Sequence, residues 1–284
     1  MIERSNCPHG DLFSEVAAAP SPGPDFVHGE IFEPALTLLR GDRSEPPFKS
    51  DRRLDSFGRW LPERRWNRRA TTWDHEGSVG LERVIKAVLN IAEVHDGTVA
   101  VDLGCGTGQL SLPLAQGGAR VTAVDLSPAM VRRLEEKAAE ADLETVVGVV
   151  SSVEAFDLPS ESVDLVVSNY ALHHLRDRDK EALVREVARW LRPGGRLVIG
   201  DMMFGRGTTA HDRAIIMSKV AVLARRGPAG WWRLTKNVCR FGLRIQERPV
   251  SAEIWRQYFD TAGFRDVSVV PVISEAAVVV GTKP

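Results

Sequence analysis

VAVDLGCGTGQL, residues 99–110, joins an apolar run to a glycine-spaced loop. Five residues that are almost all apolar (Val99–Leu103) run into a loop with glycine at alternate positions, Gly104, Gly106 and Gly108. A short apolar run is a buried strand. Glycine tolerates positive φ and lets a ligand approach the backbone without a Cβ in the way. A helix is expected from about Gly108 to Ala115, and its unpaired N–H groups suit a carboxylate or phosphate. Such a loop by itself is also compatible with a bare strand-to-helix turn.

The same rhythm extends in both directions. Upstream, Val79, Leu81, Val84, Ile85, Val88, Leu89 and Ile91 recur at helical spacing, an amphipathic helix packed on a sheet. Downstream, VTAVD (121–125) is a second strand, and a helix from Pro128 to Glu140 follows with Ser127 as N-cap and proline at its first position. VVGVV (146–150), VDLVVSN (163–169) and RLVIGDM (196–202) are further strands; a helix over 177–192 is stopped by Pro193-Gly194-Gly195. Strands this apolar are expected to be buried on both faces, and strand–helix alternation implies right-handed crossovers and a parallel sheet. After a helix at 251–262, VSVVPV (267–272) and AAVVVG (276–281) read as a closing hairpin.

Two regions break the pattern. Residues 1–50 hold seven of the sixteen prolines and read as an extended or partly disordered arm. Residues 51–77 are dense in arginine and tryptophan and read as a lid segment, leaving 78–284 as the main domain. Within it, residues 205–247 have helical apolar spacing and form a helical insertion whose Trp231, Trp232 and Phe241 suit the apolar wall of a pocket as well as plain packing.

The totals exclude several classes. At 284 residues, 43% hydrophobic and net charge −1, the chain has an ordinary globular composition and no overall basic character for nucleic acid. Cys7, Cys105 and Cys239 are too few and scattered for a disulfide framework or a zinc site, so no metal is expected. No segment approaches the roughly 20 apolar residues of a membrane helix, and the N-terminus lacks a secretory signal's apolar core, so the expected location is cytoplasmic.

The loop acquires a ligand from its neighbours. Asp125 closes the second strand about 20 residues past the glycines, where a carboxylate accepts hydrogen bonds from ribose hydroxyls. The dinucleotide pattern G-x-G-x-x-G needs its third glycine at position 109, which is Gln109; here the spacing is G-x-G-x-G. Asp102 stands just before it, and a carboxylate beside the loop suits an ammonium better than a pyrophosphate. Both features disfavour NAD and favour an amino-acid-bearing nucleoside.

In this order and spacing, VDLGCGTGQLSLPLA, VTAVDLSPAM, VDLVVSNYALHHL and RWLRPGGRLVIGDM resemble the successive motifs of class I S-adenosylmethionine-dependent methyltransferases, over roughly residues 78–203. The resemblance implies a Rossmann-like α/β fold, a doubly wound, mostly parallel seven-stranded sheet with an antiparallel last strand. It also implies S-adenosyl-L-methionine as cofactor. By position, Gly104, Cys105, Gly106 and Gly108 would face the methionine part, with Asp102 near its amino group. Asp125 would hold the ribose, and Leu126 and Met130 would line the adenine. Ser152-Val153 would meet the adenine edge, with serine where the family commonly has a carboxylate, and Asn169 would sit beside the sulfonium.

His173, His174 and Tyr170 follow the fourth strand at the carboxyl edge, where open α/β sheets bind ligands. They are the candidates for a base or an acceptor-orienting group, with helix capping or packing as the bland alternative; His75 and His211 are weaker candidates. The Asn/Asp-Pro-Pro-aromatic motif of nucleic-acid amine methyltransferases is replaced by Asn169-Tyr170-Ala171-Leu172. The double histidine resembles the branch acting on quinones, sterols and natural products. The expectation is therefore in-line methyl transfer to a small-molecule acceptor. An RNA methyltransferase, suggested by the interleaved arginines and tryptophans, and a non-catalytic scaffold are the alternatives.

Overall fold

The structure is a computed structural model. It describes residues 63, 64, 66–70, 79–205, 213, 214, 217 and 248–284, all belonging to the unit Arg43–Pro284. The expected 1–50 arm, most of the 51–77 segment and nearly all of the 205–247 insertion lie outside them.

The described elements run α1 (Val79–Ala92), β1 (Val99–Leu103), α2 (Ser111–Gln116), β2 (Arg120–Asp125), α3 (Pro128–Glu140), β3 (Val146–Val150), β4 (Val163–Asn169), α4 (Asp177–Trp190), β5 (Leu191–Met202), α5 (Ala252–Thr261), β6 (Arg265–Ile273) and β7 (Ala276–Thr282). The strands form one sheet in the order β3-β2-β1-β4-β5-β7-β6. β1 to β5 are parallel, β7 is antiparallel to β5, and β6 pairs antiparallel with β7 as the closing hairpin requires. The strand order reverses between β1 and β4, and the crevice at that switch point is where such sheets take ligands.

Side-chain alternation divides the core into two faces. On one, Val84, Val88 and Ala92 of α1 repeat every four residues and pack with Leu114 of α2 and Leu165, Val198 and Val278 of the sheet. On the other, Val184, Val187 and Trp190 of α4 and Trp255 and Phe259 of α5 cover Val101, Val166, Leu197 and Val279. α3 extends the first face over β2 and β3, with Leu134 on Ala123. Helices therefore cover both faces of the sheet.

Three features differ from expectation. α2 begins at Ser111, because Gly108 sits at φ 91°, outside helical space. α4 ends at Trp190, because Leu191 already pairs with Val163 of β4. Pro193-Gly194-Gly195 thus lies inside the β5 span, at a register shift, with Gly194 N–H donating to Lys283 O at 2.9 Å. Third, β3 is an edge strand and only partly buried, with Val150 53% exposed, so not every apolar strand is covered on both faces. No described helix is long and apolar enough to cross a membrane.

α1 meets β5 at a glycine: a Cβ on Gly200 would lie 2.6 Å from Val88 Cγ2 and 2.9 Å from Val84 Cγ1. Gly200→Ala is therefore expected to cost about 1–3 kcal/mol by overpacking. It should lower the urea midpoint without changing the m-value, and adding Val88→Ala should cost less on top of it than in the native protein.

Candidate active site

The glycine loop is held from below by β2. Gly104 and Cys105 N–H both donate to Val124 O, at 2.8 and 3.0 Å, while Ser168 of β4 donates from Oγ to Leu103 O at 2.7 Å. Gly104, Gly106 and Gly108 have φ of 76°, 53° and 91°. A Cβ on Gly104 would strike Ala171 Cβ, so this position needs glycine for space as well as for backbone angle.

Two carboxylates flank the loop. Asp125 at the end of β2 accepts Gly106 N–H on Oδ2 (2.9 Å) and Ser127 N–H on Oδ1 (2.8 Å). Burial raises its pKa against the opposing pull of those two bonds. Each oxygen keeps a second lone pair for a hydroxyl. Asp102 is almost fully buried and accepts Ser111 Oγ–H at 2.6 Å. Burial, opposed by Ser111 and reinforced by the nearby Asp125 charge, pushes it up to about 7. A cationic ligand at the loop would return it to the ionised form.

The remaining expected cofactor residues fall unevenly. Cys105 turns its side chain into the core with Ala123 and Leu134; burial, then the Asp102 and Asp125 charges, push its thiol well up, leaving only its backbone for a ligand. Met130 is buried, and Leu126 is partly exposed. Ser152 is buried with an Oγ that has no hydrogen-bond partner, while Val153 packs partly against the core. An orphaned buried hydroxyl beside an apolar residue fits the edge of a nucleobase. Asn169 Oδ1 is likewise buried without a partner, but a Cβ on Gly200 would lie 2.9 Å from it, which places the side chain on the α1 side of the sheet.

Beyond Asn169 the chain turns sharply. Tyr170 has φ 50°, uncommon for a bulky residue, and its N–H donates to Gly200 O at 2.8 Å. Burial, with Glu275 and Asp201 nearby, drives its phenol pKa upward. His173, in the following 3-10 turn Leu172–His174, is buried and doubly held by Asp201. Its N–H donates to Oδ2 at 2.9 Å, and its Nδ1 lies 2.6 Å from Oδ1. Arg248 N–H donates to His173 O at 2.6 Å. Lys180, wholly buried, donates from Nζ to Leu175 O (2.8 Å), Arg248 O (2.7 Å) and Asp177 Oδ1 (3.3 Å). The chain at Arg248 is thereby tied to the histidine turn.

His174 is partly exposed; its ring lies 4.1 Å from His173 and 5.4 Å from Trp66, edge to face. Asp201 and Asn67 are the residues that the sequence reading missed. A carboxylate ending the buried run RLVIGD at the sheet's carboxyl edge was the available signal for Asp201. Nothing local marked Asn67. His75, His211, Trp231, Trp232 and Phe241 lie outside the described residues. Among the described residues no group of three or more His, Cys, Asp or Glu converges as a metal site.

Because the folded Asp102 titrates near 7 and an unfolded aspartate near 3.9, the folded chain retains this proton where the unfolded chain loses it. Its contribution to stability is therefore greatest below about pH 4, falls as pH rises toward 7, and is flat above. Asp102→Asn should remove that slope from urea unfolding of the ligand-free protein and leave the variant more stable than the native chain at pH 8.

A methyltransferase-domain family model matches residues 100–195. The chain is 30% identical over 201 residues to the carboxy-S-adenosyl-L-methionine synthase of Yersinia enterocolitica, covering 64% of this chain and 74% of that one. It is 30% identical over 165 residues to the uncharacterized methyltransferase GK2543 of Geobacillus kaustophilus, covering 57% and 72%. A solved S-adenosylmethionine-dependent methyltransferase from Aquifex aeolicus shares the fold at TM-score 0.53 and 18% identity, over 76% of this chain and 98% of that one. A chain from the complex of the Haloferax volcanii Trm112 activator with a putative methyltransferase does so at 0.56 and 19%, over 77% and 97%. The glycine loop with its two carboxylates, the reversed strand order and the relatives covered over nearly three quarters of their length together make this chain an enzyme of the class I S-adenosylmethionine-dependent methyltransferases.

Proposed function

We propose that the enzyme transfers the methyl group directly and in line to a small-molecule acceptor that carries a dissociable proton, with His173 as the base. The observation carrying this reading is the hold of Asp201 on His173. An ionised carboxylate only accepts hydrogen bonds, so the proton between them belongs to Nδ1, and Nε2 is left with its lone pair. Met202 N–H donates to the same carboxylate at 2.7 Å, which fixes Asp201 in turn. A buried histidine with a set tautomer and a negative partner is equipped to receive a proton and to stabilise the imidazolium that results.

S-adenosylmethionine supplies an already activated sulfonium methyl, so the protein's tasks are alignment, exclusion of water and handling one proton. The glycine loop, Asp102 and Asp125 would hold the methionine and ribose parts, and Ser152 and Val153 the adenine edge. Leu126 is exposed enough to join them. The buried Met130 would contribute only a packed floor. Tyr170 and His174 would shape the acceptor side. A proton-bearing acceptor, such as a phenol, an enol or an acidic carbon, uses this base, whereas a neutral amine lone pair does not need one.

Two side chains of the Arg/Trp-rich segment are engaged with neighbours: Trp66 packs on His174, and Arg69 lies 5.5 Å over the Trp66 ring. That supports a small-molecule pocket over a base-stacking surface for RNA.

The test is methyl transfer from radiolabelled S-adenosylmethionine to a panel of phenols, enols and acidic carbon compounds, beside bulk RNA. Turnover on a panel member is expected. His173→Gln should lower kcat by about 10²–10⁴-fold while leaving the calorimetric affinity for S-adenosylhomocysteine within twofold. Nuclease-sensitive label in RNA, with none in the panel, would reverse the reading.

A further inference from the structure

One turn of chain ahead of α1 touches both loops that bracket the cofactor crevice. Residues 66–69 are helical, and Ala70 N–H closes the turn on Trp66 O at 3.1 Å. Asn67 Oδ1 accepts the Ser127 hydroxyl at 2.6 Å and the Ala129 N–H at 3.3 Å. Trp66, the preceding residue, sets its ring against His174. Successive helical side chains diverge by about 100°, so neighbours in sequence reach in two directions. Ser127 follows β2 and His174 follows β4, and these strands flank β1 with its glycine loop. At about 4.8 Å per strand, the two anchor points stand roughly 10 Å apart across the mouth of the cofactor site.

The Asn67 contact is more than a surface touch. Ser127 Oγ also accepts Met130 N–H as the N-cap of α3, Ser127 N–H is held by Asp125 Oδ1, and Asp125 Oδ2 holds Gly106 N–H. A continuous hydrogen-bonded chain therefore runs from Asn67 through Ser127 and Asp125 into the glycine loop. At its other end the turn bears on His174, whose ring adjoins the doubly held His173.

We propose that Trp66 and Asn67 are positioning residues of the cofactor site. They form a two-point strap that spans the crevice and holds the ribose-side loop in its binding arrangement, and it must release for the cofactor product to leave. Asn67 is the latch, because its contact is a hydrogen bond to a buried, already committed hydroxyl; Trp66 is the pivot, because its contact is with a ring. Departure of S-adenosylhomocysteine is thereby tied to breaking the Asn67–Ser127 bond.

The test is stopped-flow release of S-adenosylhomocysteine from the full chain, with the native protein, Asn67→Ala, Ser127→Gly and the double variant. Alanine favours the helical turn and glycine is tolerated at an N-cap, so all are expected to fold, with melting temperatures as the check. The dissociation rate should rise about tenfold in either single variant and no further in the double. In parallel, protection of the Ala129 amide from hydrogen exchange should fall in Asn67→Ala. A dissociation rate within twofold of native in Asn67→Ala, or single effects that multiply in the double variant, would overturn the strap. Because the readout is cofactor release, its failure leaves the acceptor chemistry untouched, and failure to find an acceptor leaves the strap untouched.

Discussion

Two backbone N–H groups, of Gly104 and Cys105, converge on the carbonyl oxygen of Val124, and the arrangement of the site depends on that junction. It forces the chain to leave β1 by turning over the end of β2 instead of continuing into a helix. Left-handed backbone at three alternate glycines follows, and α2 is delayed to Ser111. With the loop in this place, Asp125 finds its partner in Gly106, and Asp102 is sealed beneath the glycines with Ser111. A buried carboxylate without a cation is costly, and its raised titration point is the sign of that cost. The loop thus carries two carboxylates, one buried with Ser111 and one bonded to Gly106 and Ser127.

The His173 turn rests on a separate set of constraints. Asp201 gives both carboxylate oxygens to the His173 turn, Arg248 closes on the His173 carbonyl, and Lys180 binds Leu175 and Arg248 together from within the core. A fully buried ammonium is tolerated only when its donors are satisfied, and here two carbonyls and Asp177 do so. β4, β5 and the chain returning at Arg248 are thereby fastened at one point. The strained Tyr170 backbone sits beside it, where stored strain is sustained by the surrounding hydrogen bonds.

Much of this was legible in order along the chain. The seven strands and their helices followed from apolar runs and helical spacing, because burial on a sheet face leaves a periodic trace. The Ser127 cap, the glycine loop and Asp125 were legible because each acts through backbone geometry within a few residues of itself. The end of α4 was misplaced because the pairing of Leu191 with Val163 prevailed over a local stop signal, and the start of α2 because positive φ at Gly108 keeps the loop outside helical space. The exposed β3 was missed because a strand's own residues do not say whether a neighbour pairs on both sides.

The class of fold and a preference for an amino-acid-bearing nucleoside are written in short-range patterns of glycine, carboxylate and apolar spacing, and the resemblance of the motifs to the methyltransferase family narrowed that ligand to S-adenosylmethionine. The contacts of Asp201 with His173 and of Asn67 with Ser127 are visible only in the tertiary structure. The first two partners are separated by 28 residues of chain and the last by 60. Hydrogen bonds over such separations depend on how strands are ordered in the sheet, and no local run of residues encodes that order.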